Sequence, residues 1–201
     1  MAKIYPNNNN NHSSNSNCDY SFERETYTVW MKSLVFHGNG CTVFNTKGDV
    51  VYRVDNYQKR CGNRVFLMDA NGKVLYSINR KKMHILGCWE GYKWKGNSKV
   101  NNGRPWFQVQ RNSAILSKDM SYKVTFKCRE ENECKIIGSI QGKSALKIVD
   151  SSCHLLAEAV QKQSSGVSLG EDVLRLTVEP KADQSLVMAL VTVYSMINNK
   201  L

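Results

Sequence analysis

Leu186-Val-Met-Ala-Leu-Val-Thr-Val-Tyr-Ser-Met-Ile197 is the stretch on which the fold turns. Asp183 stands ahead of it as a helix cap, Gln184 and Ser185 fit a first turn, and Asn198-Asn199 close it. The spacing predicts a helix from Asp183 to Ile197, about 22 Å long. Only Thr192, Tyr194 and Ser195 carry polar side-chain atoms in its apolar run. A helix that is apolar on every face belongs in a membrane or inside protein, and this one is too short to span a bilayer comfortably. A short apolar run also reads as a buried strand. Its length, the Asp183 cap and the Met188-Ala189-Leu190 segment favour the helix.

Something must surround such a helix, and the preceding chain offers strands. Tyr27 to Phe36, Cys41 to Phe44, Val50 to Val54, Arg64 to Met68 and Val74 to Ile78 alternate with turn residues. The pattern continues through Ile85 to Lys93, Trp106 to Arg111, Tyr122 to Arg129, Lys135 to Ile140, Leu146 to Val149, Leu155 to Gln161 and Val173 to Val178. Eight strands close with just enough room for side chains, and about twelve leave a lumen that a helix 10–12 Å across can fill. The expected fold is therefore mainly β, a closed β-barrel of about twelve strands enclosing a hydrophobic C-terminal α-helix. Nine large side chains on that helix would be buried, at about 1.5–3 kcal/mol each, which together exceeds a typical domain's net stability.

One hairpin pattern recurs. With Gly48 set against Gly72, Asn45 matches Asp69, Val50 matches Val74, Tyr52 matches Tyr76 and Val54 matches Ile78. A weaker third copy puts Asp150 at the Asp69 position, with Leu155, Leu156 and Ala159 behind it. Asn or Asp opens such a turn through its side chain, and glycine three residues later supplies positive φ.

Composition sets the outer limits. The 201 residues are 41% hydrophobic and 22% charged, enough for one core. Residues 6–18, rich in Asn and Ser, cannot bury enough surface to offset ordering entropy. A disordered tail over residues 1–20 and a single domain over 21–201 are expected. With no basic and apolar leader, no 18-residue apolar run and no lipidation box, the expected location is intracellular, in cytoplasm or nucleus, with peripheral plasma-membrane contact. The seven cysteines are odd in number, irregularly spaced and without a C-x-x-C pair, which points to reduced thiols serving as small core or strand residues.

Val29-Trp-Met-Lys-Ser33, Gly40-Cys-Thr-Val-Phe44, Tyr52-Arg-Val-Asp-Asn-Tyr57 and Leu67-Met-Asp-Ala-Asn-Gly-Lys-Val-Leu75 resemble the plant LURP-one-related family. Ile78-Asn-Arg-Lys-Lys82 followed by Trp89 is similar to that family's basic strand and tryptophan. The resemblance runs from about Asp19 to Met196. It implies a tubby-like barrel shared with tubby proteins and phospholipid scramblases, a link to plant defence, and a relation to membrane-tethered transcription regulators. Tubby proteins bind phosphoinositide head groups, but their ligand residues have no one-to-one match here.

Function is sought in charge. The net charge is +11, and the segment from Lys47 to Arg111 holds 14 basic and 4 acidic residues, so +10 of it lies there. Such a surface attracts phosphates or acidic protein faces. Arg80, Lys81 and Lys82, with Lys93 and Lys95 near in sequence, form the candidate anion site. Arginine offers a bidentate fork and lysine a mobile point charge. The resulting expectation is a non-enzymatic, monomeric protein that binds phosphoinositide or another anionic membrane phospholipid, with defence-signalling proteins as further partners. The alternatives are a nucleic-acid-binding module, with Trp89, Tyr92, Trp94, Trp106 and Phe107 as stacking residues, or a protein-interaction module without a lipid ligand. Gly166-Val-Ser168-Leu-Gly170 has the letters of a nucleophile elbow, but a strand-like run follows where a helix is needed. His37, His84 and His154 lack metal or catalytic spacing. No catalytic residue, metal or cofactor is expected.

Overall fold

The computed structural model describes residues 23–31, 40–55, 64–81, 87–112, 120–127, 133–138, 144–164, 167–170 and 172–198. The Asn-rich head and the boundary set at residue 20 lie outside these residues.

Twelve strands form the wall: β1 (Glu25–Trp30), β2 (Gly40–Phe44), β3 (Val50–Asp55), β4 (Arg64–Asp69), β5 (Val74–Lys81), β6 (Cys88–Lys95), β7 (Phe107–Arg111), β8 (Met120–Phe126), β9 (Glu133–Gly138), β10 (Ser144–Asp150), β11 (Leu155–Gln161) and β12 (Val173–Val178). Each pairs antiparallel with the next in sequence, and β12 pairs back onto β1. The sheet is thus an up-and-down meander closed on itself, which leaves no open edge. The first and last strands meet in a seam where Thr26 faces Thr177 and Thr28 faces Arg175.

The helix α1 (Gln184–Ile197) fills the lumen. The Asp183 carboxylate accepts the Leu186 amide at 3.0 Å and the Ser185 hydroxyl at 2.7 Å, the capping its sequence position foretold. Leu186, Val187, Met188, Leu190, Val191, Val193 and Tyr194 are buried against inward residues such as Val29, Leu67, Ile78, Phe107, Ile136 and Leu176. Met196 and Ile197, counted among the nine expected to be buried, are only partly covered. They stand at the end of the barrel, where the helix runs out of wall. Gly138 leaves room for the Tyr194 ring and Gly91 for the Phe107 ring; a Cβ at either position would overlap the aromatic atoms.

The two ends of the barrel differ. At the base, where α1 begins, lie three tight turns of one design. Asn45, Asp69 and Asp150 each accept two backbone amides on one side-chain oxygen, from residues two and four further on, at 2.8–2.9 Å. Gly48, Gly72 and Cys153 hold positive φ at the matching position. The recurring hairpin is therefore a structural repeat, third copy included. The opposite end, where α1 finishes, is here termed the mouth.

Candidate functional site

Alternation along β5 and β7 builds the mouth. On β5, Tyr76 and Ile78 point inward and are fully buried; Arg80 is next in the same phase. On β7, Phe107 and Val109 point inward and Arg111 follows. Both strands run from base to mouth, so each ends its core-facing row with an arginine at the rim. Between them β6 places Trp89 opposite both Arg80 and Val109. The Arg80 guanidinium carbon lies 5.9 Å from the Trp89 ring centroid, within cation–π range. Beyond Arg111 comes Tyr122 of β8, edge-on to Tyr194 at 6.2 Å. Arg80, Trp89, Val109, Arg111 and Tyr122, with Gly87 and the half-buried Met196 and Ile197, surround a cavity of about 170 Å³. It has a cationic rim, an aromatic wall and an apolar floor.

Neither Arg80 nor Arg111 has a carboxylate partner among the described residues. Burial pushes the Tyr122 phenol up, and the Arg111 cation partly opposes this. Tyr194 is likewise pushed up by burial, and next by Tyr122. Both phenols stay neutral at physiological pH, so the rim keeps its positive charge.

The other candidate residues are distributed elsewhere. Lys81 follows Arg80 but points to the outer face, where its ammonium meets Glu90 at 2.9 Å. Tyr92 and Gln108 also donate to Glu90, at 2.8 and 2.9 Å. Burial raises the Glu90 carboxyl, yet these three donors outweigh it and hold the group below its ordinary value. Lys82 lies outside the described residues. Lys93 sits at the base, four residues and roughly 13 Å along β6 from Trp89. There it pairs with Asp183 at 3.4 Å and lies over the Tyr76 and Trp106 rings. It supports the helix cap. Lys95 is exposed at the same end. The structure thus brings Arg80 together with Arg111, Trp89 and Tyr122, and separates it from Lys93 and Lys95. Arg111 went unnoticed in the sequence because it stands alone, 31 positions from Arg80. Its signal was the phase of Phe107-x-Val109-x-Arg111.

Of the five aromatics, Trp89 and Phe107 are buried, Tyr92, Trp94 and Trp106 are half-buried, and the Trp94 indole donates to Ser77 at 3.0 Å. Ser168 ends a two-residue ribbon paired with Gln163–Ser164, and β12 follows it rather than a helix. That is not the geometry of a nucleophile elbow. His154 Nδ1 lies 3.1 Å from Asp150 within its turn, while His37 and His84 fall outside the described residues. Among the described residues no three His, Cys, Asp or Glu side chains gather as a metal requires, and no helix is long and apolar enough to cross a membrane. Cys41, Cys88 and Cys134 are buried free thiols, as expected, and burial pushes Cys41 up to about 12. Cys153 is different: it is exposed in a turn rather than part of a core or strand.

Comparison with known proteins agrees with this architecture. A sequence model described as LURP-one-related matches residues 25–195. Protein LURP-one-related 4 of Arabidopsis thaliana is 41% identical over 199 residues, covering 98% of this chain and 87% of that protein. Protein LURP-one-related 11 of the same plant is 38% identical over 205 residues, covering 98% and 89%. An X-ray structure of an Arabidopsis thaliana protein superposes with a TM-score of 0.63 at 15% identity, covering 89% of this chain and 94% of that one, and shares the fold.

Proposed function

The chain belongs to the LURP-one-related family, and we propose that it is a non-enzymatic binding protein whose barrel mouth takes the phosphate of an anionic phospholipid, a phosphoinositide in particular. Docking at the membrane is proposed to serve plant defence signalling, the role that the family resemblance implies. One observation carries the binding reading: Arg80 and Arg111 line a single cavity with no carboxylate partner among the described residues. Two such guanidinium groups can fork the oxygens of one phosphate. The apolar floor of Met196 and Ile197 suits the glycerol or first methylenes beside a lipid head group. Each rim charge adds about 1 kcal/mol near an anionic surface, so docking is reversible and salt-sensitive.

The test is vesicle flotation. The protein is mixed with phosphatidylcholine vesicles, with the same vesicles containing phosphatidylinositol bisphosphate, or with single-stranded DNA, each at two salt concentrations. The phosphoinositide vesicles should retain the protein, less so at high salt. Replacing both arginines (Arg80→Gln, Arg111→Gln) should weaken retention about 30-fold, the equivalent of about 2 kcal/mol. Lys95→Gln should change it little. Retention that survives the double replacement, or tighter binding to DNA than to lipid, refutes the proposal.

A further inference from the structure

A second basic cluster lies on the outer wall, on the seam that closes the barrel. Arg24 and Glu179 clasp this seam at the base, with 3.0 Å between charged atoms. At the mouth side the Trp30 indole donates to Asp172 at 3.3 Å, and the Met31 amide donates to the Asp172 carbonyl at 2.8 Å. The stretch between them has a different chemistry. Arg175 of β12 stands directly opposite Thr28 of β1. Lys162, just after β11, is fixed by backbone bonds to Val173 and Leu169, both 2.9 Å. From there its ammonium extends across β12 to donate to the Thr28 hydroxyl at 2.7 Å.

Two cations therefore converge at mid-seam, and the hydroxyl that receives Lys162 is neutral. They border a groove of about 430 Å³ whose walls include Thr26, Thr28, Phe44 and Thr46. Among the described residues no carboxylate lines it. Open space stands over Gly48 at its base side, so a ligand can approach the backbone there.

We propose that this groove is an oxyanion site, separate from the mouth, which takes a phosphate monoester across the closure seam. Lys162 supplies a point charge held in place by Thr28. Arg175 supplies a two-pronged donor from the neighbouring strand. The hydroxyls of Thr26 and Thr28 donate to the remaining oxygens. Because the ligand contacts β1, β12 and the residue after β11 together, it favours the closed barrel over any form with the seam parted, and binding raises thermal stability.

The experiment isolates the groove by using the full chain with Arg80→Gln and Arg111→Gln already in place, so that the mouth contributes nothing. Melting is followed in sodium phosphate and in sodium chloride at matched ionic strength. Once the site is saturated, each further tenfold of phosphate should raise the melting temperature by about 3–5 °C over chloride. Arg175→Gln and Lys162→Gln should each abolish that difference, and Arg175→Lys should keep part of it. A phosphate difference that is absent, or that persists in both glutamine variants, overturns the proposal. Flotation with phosphoinositide vesicles in the same background identifies the source. Retention that depends on Arg175 assigns the site to a lipid head group, and phosphate stabilisation without such retention assigns it to a soluble phosphate ester. Since the mouth arginines are absent throughout, failure here leaves the mouth reading standing, and the converse holds too.

Discussion

Cys153 holds a φ of 66°, where the two sister turns place Gly48 at 89° and Gly72 at 82°. A side chain in that left-handed region costs about 1–2 kcal/mol, and glycine does not bear the cost. Its sulfur is exposed, so little packing is lost when it is removed. Cys153→Gly should therefore stabilise the protein by about 0.5–1 kcal/mol, after the larger unfolded-state freedom of glycine is subtracted. Calorimetry or denaturant melts of the two proteins check this, and an unchanged or lower midpoint would show that the turn is not strained. Single-residue phase also decides chemistry at the mouth. Arg80 and Lys81 are neighbours in sequence, yet alternation sends one to the rim and the other to Glu90 on the outer wall. Arg80 and Lys81 therefore belong to opposite faces of the wall, and Lys82 lies outside the described residues.

At the scale of elements, α1 is what the wall is built around. Seven of its large apolar side chains are buried inside the barrel, and twelve strands closed around an empty lumen would leave the inward faces of the sheet without partners. A chain ending after Pro180 should fail to give a cooperative melt and should bind hydrophobic dyes such as ANS; a soluble truncation melting in one sharp transition would count against the threaded barrel. These elements were legible because each announced itself locally. The helix carried its own cap at Asp183, and the hairpins carried Asn or Asp with glycine at fixed offsets. β11 and β12 fall on the predicted residues. The mouth was not legible in the same way. Arg80 and Arg111 meet only through the β5–β6 and β6–β7 registers, and no run of residues encodes those registers. The position of Lys93 is set in the same way, by a partner, Asp183, that is 90 residues away.

For the whole molecule, the two ends of the barrel differ in their chemistry. The base is occupied by structural bonds, with the turns of one design and the Lys93–Asp183 pair on the helix cap. The mouth carries guanidinium groups over a cavity floored by the end of the same helix. The apolar helix is buried, the rim is cationic, and under the proposed reading the uneven +11 charge would favour the approach of anions. Trp89, in the cavity wall beneath Arg80, reports on that site from within. The most direct measurement is tryptophan emission during titration with a soluble short-chain phosphoinositide. The account predicts a saturable change that disappears in Trp89→Phe and in Arg80→Gln with Arg111→Gln. A flat titration, or the same change with Trp89 removed, would contradict a ligand at the mouth.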